Sequence, residues 1–182
     1  MDIRYSSSNK ENKNNETQLK CSFIADLYHR TLRQLKIKDV KIIYVSISQI
    51  DNRKFSAGKG TRFIYLPFNC NELNNSSLDE QFKILIQKLD EGLMLLCERF
   101  SWNKTPFKET FKSISKLGFE TKIQLNKNKF SPKKTRLGYL QITKNHKESV
   151  VSFVFSQGNQ DGFRSIDGLR LTPGNYSLDS II

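Results

Sequence analysis

Residues 77–100, SLDEQFKILIQKLDEGLMLLCERF, carry the strongest structural signal in the chain. Ser77 and Glu80 have the spacing of a capping box, and Asp79 adds negative charge to the first turn, where the helix dipole favours it. Phe82, Leu85, Ile86, Leu89, Leu93, Leu96 and Phe100 recur at helical spacing, widened by Met94 and Leu95, so one face of a long helix must be buried. A second helix follows. Thr105 suits its N-cap, Pro106 its first turn, and Gly118 the left-handed position after its last turn. Phe107, Phe111, Ile114 and Leu117 supply its apolar face. This helical pair is the predicted centre of the core.

Upstream, Phe23, Ile24, Leu27, Tyr28, Leu32 and Leu35 predict an amphipathic helix over 17–36. The period changes between Val40 and Ile50, where Ile43, Val45 and Ile47 alternate with Tyr44, Ser46 and Ser48, and the segment reads as a strand. A second strand is expected over about 61–68. Asp51-Asn52 and Gly58-Lys59-Gly60 between them suggest a loose antiparallel hairpin. Downstream, strands are predicted over about 119–125, 137–143 and 149–156, with Lys144-Asn145-His146-Lys147 turning the last two into a hairpin. The order α-β-β-α-α-β-β-β predicts an α+β fold, a largely antiparallel β-sheet packed with an N-terminal helix and a central helical pair. Residues 1–16 are expected to be a disordered N-terminal segment, because they offer too little apolar surface to order, and 17–157 are expected to form a single α+β domain. Residues 158–182, with Gly158, Gly162, Gly168 and Gly174, read as irregular turns.

A chain of 182 residues with 37% apolar and 11% aromatic residues can bury one core without a metal or disulfide. Gly and Pro together number 13, as does Phe alone, which excludes collagen-like and wholly disordered classes. The longest apolar run, Leu93 to Cys97, falls far short of the roughly 20 residues of a bilayer helix. The polar stretch after Met1 lacks the apolar segment of a secretory signal, so a cytoplasmic location is expected. Cys21, Cys70 and Cys97 match neither a zinc-ligand spacing nor a disulfide framework, and reduced thiols are expected.

The formal net charge is +12, and residues 104–147 account for most of it, with twelve basic against two acidic side chains. Lys104, Lys108, Lys112 and Lys116 fall at successive i, i+4 steps on the second helix of the pair. Like charges at that spacing cost a few tenths of a kcal/mol per pair, so folding gives no reason to repeat them. A solvated face is the plain alternative. The functional one is a surface for an acidic partner, extended by Lys127, Lys129, Lys133, Lys134 and Arg136 in the following loop. Nucleic acid is one such partner, but most aromatics fall on faces the core needs, and only Phe130 and Tyr139 look free to stack on bases. The predominance of Lys over Arg suits sequence-blind attraction or an acidic protein better than base readout.

No catalytic set assembles from the sequence. Gly58-Lys59-Gly60-Thr61 departs from a phosphate loop at both the leading glycine and the hydroxyl after the lysine. His29 and His146, with a lysine, offer only a remote acid–base RNase pairing. Cys21 and His29 are two helical turns apart, and Asp79-Glu80 and Asp90-Glu91 read as capping and solvated-face groups. No cofactor or metal is expected.

From Glu91-Gly92-Leu93 through Trp102-Asn103-Lys104-Thr105-Pro106-Phe107 to Leu117-Gly118-Phe119, the chain resembles small bacterial immunity proteins of toxin–immunity systems. There too a long helix ends near a Trp, a Pro-containing turn follows, and a second helix packs back. The resemblance covers about 30 of the 182 residues and carries over no binding residue. It implies a non-enzymatic cytoplasmic inhibitor that masks a toxin domain. The basic balance departs from the often acidic members that act on nuclease toxins, which implies a toxin with an acidic face. The expected function is therefore a protein-binding module, with a sequence-independent nucleic-acid-binding protein as the alternative.

Overall fold

The computed structural model describes residues 1–8, 16–32, 35–69, 71–124, 129–130, 137–145, 147–156 and 163–171. The fold is α+β, and the chain divides into two compact units, Met1–Lys116 and Leu117–Ile182. This replaces the expected single domain over 17–157.

In the first unit, β1 (Asp2–Ser8), β2 (Ile42–Ser48), β3 (Lys54–Gly58) and β4 (Thr61–Pro67) form one sheet in the order β1-β2-β4-β3. The predicted hairpin is corrected here, because β2 and β4 run parallel in register from Ile42↔Thr61 to Ser48↔Pro67. The segment between them is not all loop. Its β3 passes to the far edge and pairs antiparallel with β4, turning through Gly60 at φ 76°, so β4 returns in the direction of β2. The strand at the N-terminus also overturns the prediction of disorder. Ile3 and Tyr5 alternate into the core while the backbone pairs with β2 from Asp2↔Ile42 to Ser8↔Ser48, so an edge strand needs only two apolar side chains.

The helices α1 (Glu16–Leu32) and α3 (Leu78–Phe100) contact each other and pack on this sheet, and α4 (Thr105–Lys116) packs on both. A short α2 (Asn71–Asn74) precedes α3. The predicted capping box is present: Ser77 Oγ accepts from the Glu80 amide, and the Glu80 carboxylate accepts from the Ser77 amide at 2.8 Å. Those bonds hold the Glu80 carboxyl below its usual range. A group depressed in this way contributes stability above its unfolded pKa and loses it as pH falls, so this cap weakens on acidification. The buried stripe of α3 runs Phe82, Leu85, Ile86, Leu89, Leu93 and Leu96, against Ile43, Val45, Ile47, Ile64 and Leu66 of the sheet, all nearly inaccessible.

The second unit is an antiparallel sheet of β5 (Thr121–Gln124), β7 (Leu137–Lys144), β8 (Ser149–Ser156) and β9 (Phe163–Leu171) in that order, with β6 (Lys129–Phe130) also on β7. The turn after Lys144 is held by Asn145, whose Oδ1 accepts from the amides of Lys147 and Glu148. β9 corrects the irregular segment expected beyond residue 158. Its register slips against β8 between Val150 and Ser152, placing an extra residue at Gly168-Leu169, and that bulge hides the alternation by which a strand is recognised.

Candidate docking surface

The α3–α4 corner is built by two local signals. Ser101 adopts the left-handed conformation at φ 54° and closes α3, and Asn103 Oδ1 accepts from the Thr105 amide at 3.0 Å. The first helical bond of α4 runs from Lys108 N to Lys104 O, so the helix is capped from Asn103 and Lys104 and not from Thr105 as the sequence suggests. Phe107, Thr110 and Ile114 face inward. Leu117, expected on that apolar face, lies beyond the helix end and is 58% exposed, because Gly118 and Phe119 turn the chain at positive φ.

Phe107 is fully buried, and its carbonyl accepts from Tyr28 Oη at 2.8 Å, which ties α4 to α1. Tyr28 Oη also lies 3.3 Å from Asp90 Oδ1 on α3. Burial, partly opposed by the Tyr28 hydrogen bond and Lys108, raises the Asp90 carboxyl above its ordinary value. A carboxyl raised on folding contributes its full stability below its unfolded pKa and loses it as pH rises through the folded value. Asp90→Asn is therefore expected to stabilise the protein at neutral pH and to leave acid stability unchanged. Urea unfolding midpoints at the two pH values check this. Burial also pushes the Cys97 thiol up to about 11, so it stays protonated and inert near neutrality.

Of the nine predicted contact residues, Lys104 is drawn aside. Its Nζ donates to Glu98 Oε1 at 2.8 Å, and this bond holds the Glu98 carboxyl below the usual range. Lys108, Lys112 and Lys116 are exposed along α4, and among the described residues they make no ion pair. They form the ridge the i, i+4 spacing predicts. Lys129 lies in β6, with nothing described of its side chain; Lys127, Lys133, Lys134 and Arg136 lie outside the described residues. The proposed extension of the ridge into that loop therefore lies outside the described residues, as does His146.

Sequence reasoning missed the groove beside the ridge. A cavity of about 330 Å³ is lined by Leu35, Lys36, Ile37, Lys38, Trp102, Asn103 and Phe107. Trp102, half-buried, stacks on Phe100 at 5.3 Å between centroids and forms one wall. The isolated bridge between Ile37 and Val40 shapes the other. Trp102 was legible as a helix-end residue, but its groove depends on a turn more than 60 residues upstream. An apolar slot with an aromatic wall, lined also by Lys36 and Lys38, can seat an apolar anchor and attract carboxylates around it.

Among the described residues, no group of His, Cys, Asp and Glu is arranged to hold a metal, and no helix is long and apolar enough to cross a membrane. Comparison with protein-family models, curated proteins and solved structures gives no match.

Proposed function

We propose that the protein is a non-enzymatic binding module of the immunity type, which docks an acidic partner protein, a toxin domain, on the groove at Trp102 and the lysine ridge of α4. The observation that carries this reading is an apolar slot at the N-terminal end of α4, lined by Trp102 and Phe107, on a helix whose exposed side carries Lys108, Lys112 and Lys116 in succession. Solvent-exposed like charges weaken the helix slightly, and among the described residues Lys108, Lys112 and Lys116 make no ion pair that would offset this; an acidic partner would. The tryptophan-lined slot favours a protein over nucleic acid on this surface, because a protein contributes the apolar anchor that such a slot accepts.

The test is titration against the product of the adjacent open reading frame. A one-to-one complex that weakens with salt is expected. Lys112→Glu with Lys116→Glu should weaken it by about tenfold or more through like-charge repulsion, acting mainly on the association rate. Trp102→Ala should weaken it through faster dissociation. A complex of unchanged affinity in both variants, or turnover of a substrate without any complex, refutes the reading.

A further inference from the structure

The face of the first sheet opposite its helices carries a row of side chains in register across all four strands. Arg4 on β1 pairs with Tyr44 on β2, Tyr44 with Phe63 on β4, and Phe63 with Ser56 on β3. The Tyr44 and Phe63 rings are stacked at 4.7 Å with an interplanar angle of 8°. That separation is one inter-strand spacing, so each ring stands upright on its own strand. Arg4 closes one end of the stack: its guanidinium lies 5.3 Å from the Tyr44 ring and donates to Tyr44 Oη at 2.6 Å. The other end is open. Among the described residues, only the exposed hydroxymethyl group of Ser56 stands beyond Phe63, and a Cβ added to Gly58, next along the same face, would meet nothing within 4 Å.

The chemistry around this opening is cationic and aromatic. Lys54 shares the face of Ser56 and lies opposite exposed Tyr65, and Lys59 follows at the tip of the β3–β4 turn. Asp2, the acid among the described strand residues of this face, is paired with Arg4 at 2.9 Å, and Asp26 of α1, which lines a cavity with Arg4 and Tyr44, is paired with Arg30 at 2.9 Å. The expectation that only Phe130 and Tyr139 could stack on bases is thereby corrected. Tyr44, Phe63 and Tyr65 share the open face, because the parallel register of β2 and β4 aligns them.

We propose that this face binds single-stranded nucleic acid, with one base inserted above Ser56 to continue the Tyr44–Phe63 stack. Lys54 and Lys59 then meet the phosphates on either side. Every base offers a planar face, so the slot selects a single strand without selecting its sequence, and phosphate neutralisation makes binding fall with salt. A duplex, whose bases are already stacked, has no ring to insert. This face is distinct from the α4 corner: α4 packs on α1 and α3, and the buried stripe of α3 covers the opposite face of the sheet.

The experiment is fluorescence anisotropy of labelled single-stranded homopolymers and a matched duplex with the full chain at low salt. Single strands should bind more tightly than the duplex. Ser56→Phe fills the opening with the protein's own ring, and Phe63→Ala removes the stacking surface. Each is expected to weaken single-strand binding by about tenfold or more, while Lys112→Glu with Lys116→Glu preserves the preference for single strands. Both sheet substitutions fall at solvent-accessible positions, and an unchanged thermal midpoint excludes unfolding as the cause. Wild-type affinity in Ser56→Phe and Phe63→Ala, equal affinity for duplex and single strand, or no binding at low salt overturns the proposal. None of these outcomes affects the acidic-partner reading, whose variants lie on α4 and at Trp102.

Discussion

Phe107→Ala is expected to lower stability by about 3–5 kcal/mol, the range for truncating a fully buried aromatic side chain. For a domain stable by about 5–15 kcal/mol that is a large fraction of the total. The loss falls on one joint. Phe107 is the largest fully buried side chain of α4, its backbone carbonyl accepts from the Tyr28 hydroxyl, and it lines the Trp102 groove. Tyr28→Phe removes only the hydroxyl, and about 1–3 kcal/mol is expected where the buried Phe107 carbonyl is left without that donor. Both variants should also weaken binding of the acidic partner, because they loosen the helix that presents Lys108, Lys112 and Lys116. Urea unfolding with a parallel binding titration separates the effects. A loss below about 1 kcal/mol in Phe107→Ala would mean that α4 is not anchored at this point.

What the sequence reveals follows from how local each signal is. The α3 helix is legible to its caps because Ser77, Glu80 and the stripe from Phe82 to Leu96 lie within one continuous segment. The strands β7 and β8, which flank the short turn at Asn145, are legible for the same reason. The pairing of β2 with β4 is not. Alternation of Ile43, Val45 and Ile47 identifies a strand and its buried face, but it carries no information about direction. That depends on β3, whose residues Lys54 to Gly58 are all exposed and so leave no apolar alternation to detect. The strand at Asp2–Ser8 escapes for a related reason. Its pairing energy lies in backbone hydrogen bonds to β2, which any sequence can make.

The site divides in the same way. The lysine ridge is a one-helix pattern, read directly from the i, i+4 spacing and found on the exposed side of α4. Lys104 shows the limit of that reading, since Glu98 precedes it by six residues across the α3–α4 corner and takes its charge out of the ridge. The Trp102 groove and the Tyr44–Phe63 stack each join segments far apart in the chain. Only the fold makes them neighbours.

Gly92 provides the second test, because its role is invisible in a helical stripe. Gly92→Val should destabilise the protein by about 3 kcal/mol, the upper end of the range for overpacking a core. Glycine and valine both sit below alanine in helix propensity, by about 1 and up to about 0.7 kcal/mol, so the intrinsic preference of the helix almost cancels in this exchange. What remains is space. A Cβ at Gly92 would lie 2.7 Å from Val45 Cγ1, 3.2 Å from Val45 Cγ2 and 3.3 Å from Leu66 Cδ1. Val45 and Leu66 belong to β2 and β4 and are themselves buried, so neither can swing into solvent, and α3 must lift from the sheet. Val45→Ala in the same chain removes the two nearest methyl groups. The double variant should be more stable than the sum of the single effects predicts, with a coupling of about 0.5–3 kcal/mol for residues in direct contact. Chemical denaturation of the four proteins in the cycle measures it. Strict additivity would mean that the close approach of α3 to the sheet at Gly92 does not hold the two layers together.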